Sequence, residues 1–140
     1  MIIHRGRLLD HLHLSVADLN ASQRFYKAVI AALGKSITVV EGPHFFFADE
    51  LWVETASGQP THVHFAFQAD NEEIVRRFHA AGIAAGGHDN GPPGPRNYHP
   101  GYFAAYLLDP DGNNVEAVFH GPARRSADSI TFEPETPAQD

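Results

Sequence analysis

Residues 61–82 read THVHFAFQADNEEIVRRFHAAG. The first part alternates side chains with the two-residue period of a half-buried strand, and the second sets Ile74, Phe78 and Ala81 on one stripe, the period of a helix against a core. Asp70 with Glu73 forms a capping box and Gly82 supplies a stop, which predicts a strand over 61–68 and a helix over 70–81. On that strand Phe65 and Phe67 take one face. His62 and His64 take the other, where a core residue would be expected, and that placement asks for a partner.

An earlier stretch, LLDHLHLSVADLNASQRFYKAVIAALG at 8–34, repeats the design. A strand over 8–16 carries His11 and His13 between leucines. A helix over 20–33 follows, with Asn20 and Gln23 at its start, Phe25, Ala28, Val29 and Ala32 as its stripe, and Gly34 as its stop. The segments SITVV, HFFFA and ELWVET then predict strands over 36–41, 44–48 and 50–55, and the second copy is followed by strands over 83–87, 101–108 and 113–119, the last pair joined by a DPDG turn. The chain is thus βαβββ twice, an α+β domain over 1–122 with modules at 8–57 and 61–120 and a polar, Pro-rich tail over 123–140 whose last residues are expected to be mobile.

Spacing sets the register between copies. His11 lies 14 residues before Phe25, and His64 lies 14 before Phe78. The same offset of 53 pairs Leu14 with Phe67 and Asp18 with Asn71, leaving His13 opposite Ala66 and His62 opposite Leu9. Glu54 and Glu116 occupy the last strands of the two copies, 62 apart, and the nine extra residues are assigned to a loop within HDNGPPGPRNYHPG at 88–101.

Composition narrows the chemistry. A chain of 140 residues suffices for one core. A net charge of −7 without a long basic run argues against a nucleic-acid partner. No apolar run reaches the ~20 residues a bilayer span needs, and no leader is evident, so a cytoplasmic location is expected. There is no cysteine, so any metal must be held by nitrogen and oxygen. Ten histidines make such a site worth seeking.

DHLHLSVADLNASQRFY, HFAF and YHPGYFAAYLLDPDGNNVEAV resemble the vicinal oxygen chelate superfamily, which includes glyoxalases, fosfomycin-resistance transferases, extradiol dioxygenases and bleomycin-binding proteins. The resemblance spans about residues 8–120. It implies two βαβββ modules curled into a cupped, mixed β-sheet with helices outside, and one divalent metal inside on His11, His64 and Glu116. Two imidazoles and a carboxylate suit Fe, Mn, Ni or Zn. Glyoxalase-like members add a fourth ligand, for which Glu54 is the candidate, although a carboxylate at a strand end commonly just faces solvent.

The expected function is that of a metal-dependent enzyme binding a small oxygen-rich substrate by bidentate chelation, as an extradiol-type dioxygenase or a lyase/isomerase; the alternative is a non-catalytic binder of the bleomycin-resistance type. His13 and His62 share the ligand face and are assigned to substrate or ligand support. In the loop, Arg96 and Tyr98 are assigned to substrate, and His99 and Tyr102 to catalysis, since an imidazole can move protons near neutral pH; a purely structural role for the tyrosines stays open. Trp52 and Phe45–Phe47 read mainly as sheet–helix core, and His4, His44, His79, His88 and His120 as surface. Open sheet edges predict a homodimer.

Overall fold

The computed structural model describes residues 1–136, so the end of the expected mobile tail lies outside the described residues. The order is β1 (Leu12–Val16), α1 (Leu19–Ala32), β2 (Val40–Glu41), β3 (Phe45–Ala48), β4 (Leu51–Thr55), β5 (His64–Gln68), α2 (Glu72–Ala84), β6 (His88–Pro95), β7 (Phe103–Leu108) and β8 (Asn114–Phe119). These form two four-stranded mixed sheets, β1-β4-β3-β2 and β5-β8-β7-β6. In each, the first strand pairs parallel with the last of its module, and the other pairings are antiparallel. The two-module α+β fold read from the repeat is the fold observed.

One face of each sheet meets the helices. Leu14, Val16, Phe46 and Val53 from the first sheet, and Ala105, Leu107, Val115 and Ala117 from the second, pack with Phe25, Tyr26, Val29, Val75 and Phe78 in one core. Fully burying a side chain such as Phe78 contributes about 1.5–3 kcal/mol. The alternation that faces these residues inward turns the histidines to the opposite face.

Five local expectations are corrected. The N-caps are Asp18 and Asn71, whose side-chain oxygens accept from the amides of Ala21 (3.1 Å) and Ile74 (2.9 Å), in place of Asn20 and Asp70. Gly82 does not stop α2: a Cβ there would lie 2.2 Å from Leu107 Cδ1, so glycine serves close helix–sheet packing, and the chain leaves the helix near Gly86, whose φ is +98°. The strand expected at 83–87 is therefore the end of α2, which runs to Ala84, and the turn that follows it. β6 instead takes the proline-rich stretch expected as a loop, which a strand tolerates at a sheet edge with bulges on either side of Gly91. Finally, β1 begins at Leu12, and residues 1–11 run outside the sheets as exposed chain.

The turn Asp109–Asn113 ties the modules together. Asp109 is 3 % exposed and accepts from the Tyr26 hydroxyl (2.5 Å), the Asn113 side chain (2.9 Å) and the amides of Asp111 and Asn113. Asn113 Oδ1 in turn accepts from Val63 N at 2.8 Å, and Asp111 Oδ1 from Ala17 N at 3.2 Å. Burial, then the Asp109 charge, pushes the Tyr26 phenol well above its ordinary range, so it remains a donor. The DPDG turn read from the sequence is thus a structural clasp.

Candidate metal-binding half-sites

β1 and β4 lie parallel with Ser15 opposite Glu54, and β5 and β8 lie parallel with Ala66 opposite Glu116. In each module the histidine two residues earlier shares the face of that glutamate. His13 Nε2 is 2.7 Å from Glu54 Oε1, and His64 Nε2 is 2.9 Å from Glu116 Oε1. Since carboxylate oxygens accept, the imidazole N–H donates in both pairs. The two modules therefore present the same imidazole–carboxylate pair in the same strand register.

This register makes His13, not His11, the counterpart of His64, and corrects the offset read from spacing. The strands repeat at 51 residues, from His13 to His64, while the helix caps Asp18 and Asn71 repeat at 53. Module two has two more residues between strand and helix, and counting back from the helix carries them into the strand. His11 precedes β1 and its Nδ1 meets Asp10 Oδ1 of its neighbour at 2.7 Å. Of the trio His11, His64 and Glu116, the structure brings together the last two. Among the described residues no group of three or more His, Cys, Asp or Glu is placed to hold a metal ion.

The pairs differ in their surroundings. The Glu116 side chain is 3 % exposed, whereas that of Glu54 is 42 % exposed. Burying a carboxylate demands partners. Glu116 has a second one, the Tyr102 hydroxyl, which donates to Oε2. Tyr106 stands directly across from Glu116 in the β7–β8 ladder, with its ring 5.9 Å from that of His64. Burial foremost, and then interaction with the Glu116 carboxylate, pushes both phenols above the ordinary tyrosine range, so each keeps its proton.

Beside His13 the first sheet carries an aromatic bank. Trp52 neighbours His13 on one side and Phe47 on the other, and its ring stacks within 10° of Phe45 at 4.7 Å and of Phe47 at 5.3 Å. Only Phe46 of the FFF run is core, so three aromatics expected to fill the interior line the histidine face instead. An open cavity of about 320 Å³ there is lined by His11, His13, Asp49, Glu50 and Trp52.

Of the remaining sequence candidates, His62 is exposed just before β5. Arg96 donates to the carbonyls of Pro92 (2.7 Å) and Gly94 (2.9 Å) and lies over the Tyr106 ring at 5.2 Å, so its guanidinium holds the loop together. Tyr98 is 73 % exposed and packs edge-on against Tyr102 at 4.9 Å. His99 Nε2 meets His120 Nδ1 at 2.8 Å. His79, read as outward, is tucked against Asp89 at 2.8 Å.

Tyr106 and His120 are the neighbours that sequence reading misses. Alternation holds the signal, since Tyr102, Ala104 and Tyr106 share one face and so do Glu116, Val118 and His120.

No helix among the described residues is long and apolar enough to cross a membrane. No curated protein matches the chain. A glyoxalase/bleomycin resistance protein from Albidiferax ferrireducens shares 34 % identity, covers 79 % of this chain and 97 % of its own, and superposes with a TM-score of 0.67. Lactoylglutathione lyase from Agrobacterium tumefaciens (22 % identity, 82 % and 95 % covered, TM-score 0.56) and a fosfomycin resistance protein from Mesorhizobium loti (22 %, 81 % and 92 %, TM-score 0.58) share the fold. The family model of the Glyoxalase/Bleomycin resistance protein/Dioxygenase superfamily matches residues 8–117, and the chain belongs to that superfamily.

Proposed function

We propose that the chain is a divalent-metal-dependent lyase or isomerase acting on a small oxygen-rich substrate. Its active form is a homodimer whose two sites each combine His13 and Glu54 of one copy with His64 and Glu116 of the other. The observation that carries this reading is the pair of equivalent imidazole–carboxylate half-sites, each too small to hold an ion alone. A two-fold axis that sets module one of each copy against module two of the other closes both sites at once. The residues fit such an ion, because two nitrogens and two carboxylate oxygens are donors suited to Fe, Mn, Ni or Zn.

Four protein donors bear on reaction type. Non-haem iron oxygenases use two histidines and one carboxylate, with open positions left for oxygen and substrate. A second carboxylate would take one of those positions, which favours proton-transfer chemistry. Bound metal would act as a Lewis acid, polarising chelated oxygens and acidifying the adjacent proton. Glu116 is fixed by Tyr102, whereas Glu54 is partly exposed and among the described residues has His13 as its side-chain partner, which makes it the looser of the two carboxylates and the one that would take that proton. The aromatic bank would wall the substrate side of such a site.

The test is complementation between copies. His13→Ala/Glu54→Ala chains and His64→Ala/Glu116→Ala chains should each fail to bind Ni(II) or Zn(II) tightly. Unfolded and refolded together, they should regain about one-quarter of the wild-type sites, one per mixed dimer. No regain on mixing, with folded dimers of both variants, sinks the shared site. The aromatic bank also favours a second reading, a metal-free binder of flat aromatic ligands; unchanged ligand binding by chelator-treated protein would select it.

A further inference from the structure

The loop ahead of β7 docks on the chain leaving β8 by backbone contact. Gly101 and Gly121, with φ of +88° and +97°, pack against one another: a Cβ on Gly101 would lie 3.3 Å from the His120 carbonyl oxygen and 3.4 Å from Gly121 Cα. The contact brings the neighbouring imidazoles together, His99 Nε2 to His120 Nδ1 at 2.8 Å. It also packs the Tyr102 ring against both, at 5.3 and 5.1 Å.

Hydrogen-bond logic then fixes the protons. His99 Nδ1 is 2.8 Å from the Pro100 carbonyl oxygen, which can only accept, so Nδ1 carries the hydrogen. Neutral His99 then has a bare Nε2, and the hydrogen between the rings belongs to His120 Nδ1. That leaves a lone pair on His120 Nε2, to which no group among the described residues hydrogen-bonds. Resting on the lyase or isomerase reading, we propose that His120 Nε2 is a second proton acceptor of the composite site and that His99 is the positioning residue that sets its tautomer.

Lyase and isomerase reactions handle two protons. Glu54 takes one from carbon. A substrate O–H proton passes to His120 Nε2: the O–H bond breaks, the N–H bond forms, the electron pair stays on oxygen, and the new imidazolium keeps its Nδ1–H bond to His99. His120 touches His99 and the Tyr102 ring, and the charges of Arg5 in the N-terminal segment and of Glu116 in β8 also act on it. Partial burial, then His99 and Arg5, holds its imidazole below the usual range, so it is neutral and ready to accept at neutral pH.

The tautomers are tested on metal-free protein, which separates this assignment from the fate of the metal reading. Long-range proton–nitrogen NMR of ¹⁵N-histidine-labelled protein at pH 7.5 should show the hydrogen on Nδ1 of both His99 and His120, with Nε2 of His120 unprotonated. His99→Ala should lose that preference at His120, and His99→Gln, whose amide oxygen can accept, should restore it. Diethyl pyrocarbonate, which acylates an unprotonated imidazole nitrogen, should label His120 ahead of His99 in peptide mapping. A hydrogen on His120 Nε2, a tautomer unmoved by His99→Ala, or faster labelling of His99 would each overturn the assignment.

Discussion

The two half-sites are built to one register and set in opposite surroundings. His13 and Glu54 lie half open to solvent beside a flat aromatic wall, while Glu116 is buried beneath His64 and held by a phenol. Identical strand geometry shows that the pair is specified by β1–β4 and β5–β8 pairing. The different shells show that the modules have diverged in what they supply. One end offers a half-exposed carboxylate and a flat apolar surface, the other a fixed carboxylate within a network of hydroxyls and imidazoles.

Metal affinity is the measure on which the halves should agree, and the loss should be largest there. His13→Ala, His64→Ala and Glu116→Ala should each lower Ni(II) or Zn(II) affinity in isothermal titration by more than about 100-fold, beyond the range for groups that only support a ligand. His11→Ala should leave it nearly unchanged. The reverse ranking of His11 and His13 would restore the 53-residue register.

Stability of the metal-free protein should then separate the halves. Glu116→Ala strands the Tyr102 hydroxyl and an imidazole N–H, and should cost about 1–3 kcal/mol in urea unfolding. Glu54→Ala, at a half-exposed pair, should stay within about 0.5 kcal/mol. Equal losses would mean that the two shells do not differ as described.

Tyr102→Phe keeps the ring and removes the donor to Glu116, so metal affinity should fall about 10–100-fold, with no parallel for any single hydroxyl in module one. The smallest effect concerns pH. A histidine held below its unfolded value binds fewer protons when folded, so stability rises with pH between the folded value and about 6.5. The acid-side fall in Tm should therefore be shallower in His120→Gln, and an identical profile would remove His120 from the account.

Much of this is legible in the residues. Alternation places the histidines on the right face, and Phe25 and Phe78 mark two equivalent helices. The β1 counterpart of His64 is misread from spacing because module two carries two more residues between β5 and α2. A shift of two preserves the face of a strand, so alternation does not reveal it; only pairing of β1 with β4 does. The aromatic bank is misassigned because a run of phenylalanines is hydrophobic on both faces of a strand, and composition does not say which face meets a helix. The pairing of His99 with His120 depends on a glycine–glycine contact between chain segments 20 residues apart, which no local pattern encodes.

The clasp at Asp109–Asn113 has a consequence for synthesis on the ribosome. Tyr26 and Ala17, both in module one, find their partners Asp109 and Asp111 83 and 94 residues later in the chain. At translation rates of about 5–20 residues per second, the Tyr26 hydroxyl waits roughly 4–17 s before its acceptor exists. During that interval the nascent first module has its core face open and a phenol at its centre that must remain hydrated. Module one therefore emerges as an unfinished half, and its closure is timed by the arrival of a turn near the end of module two.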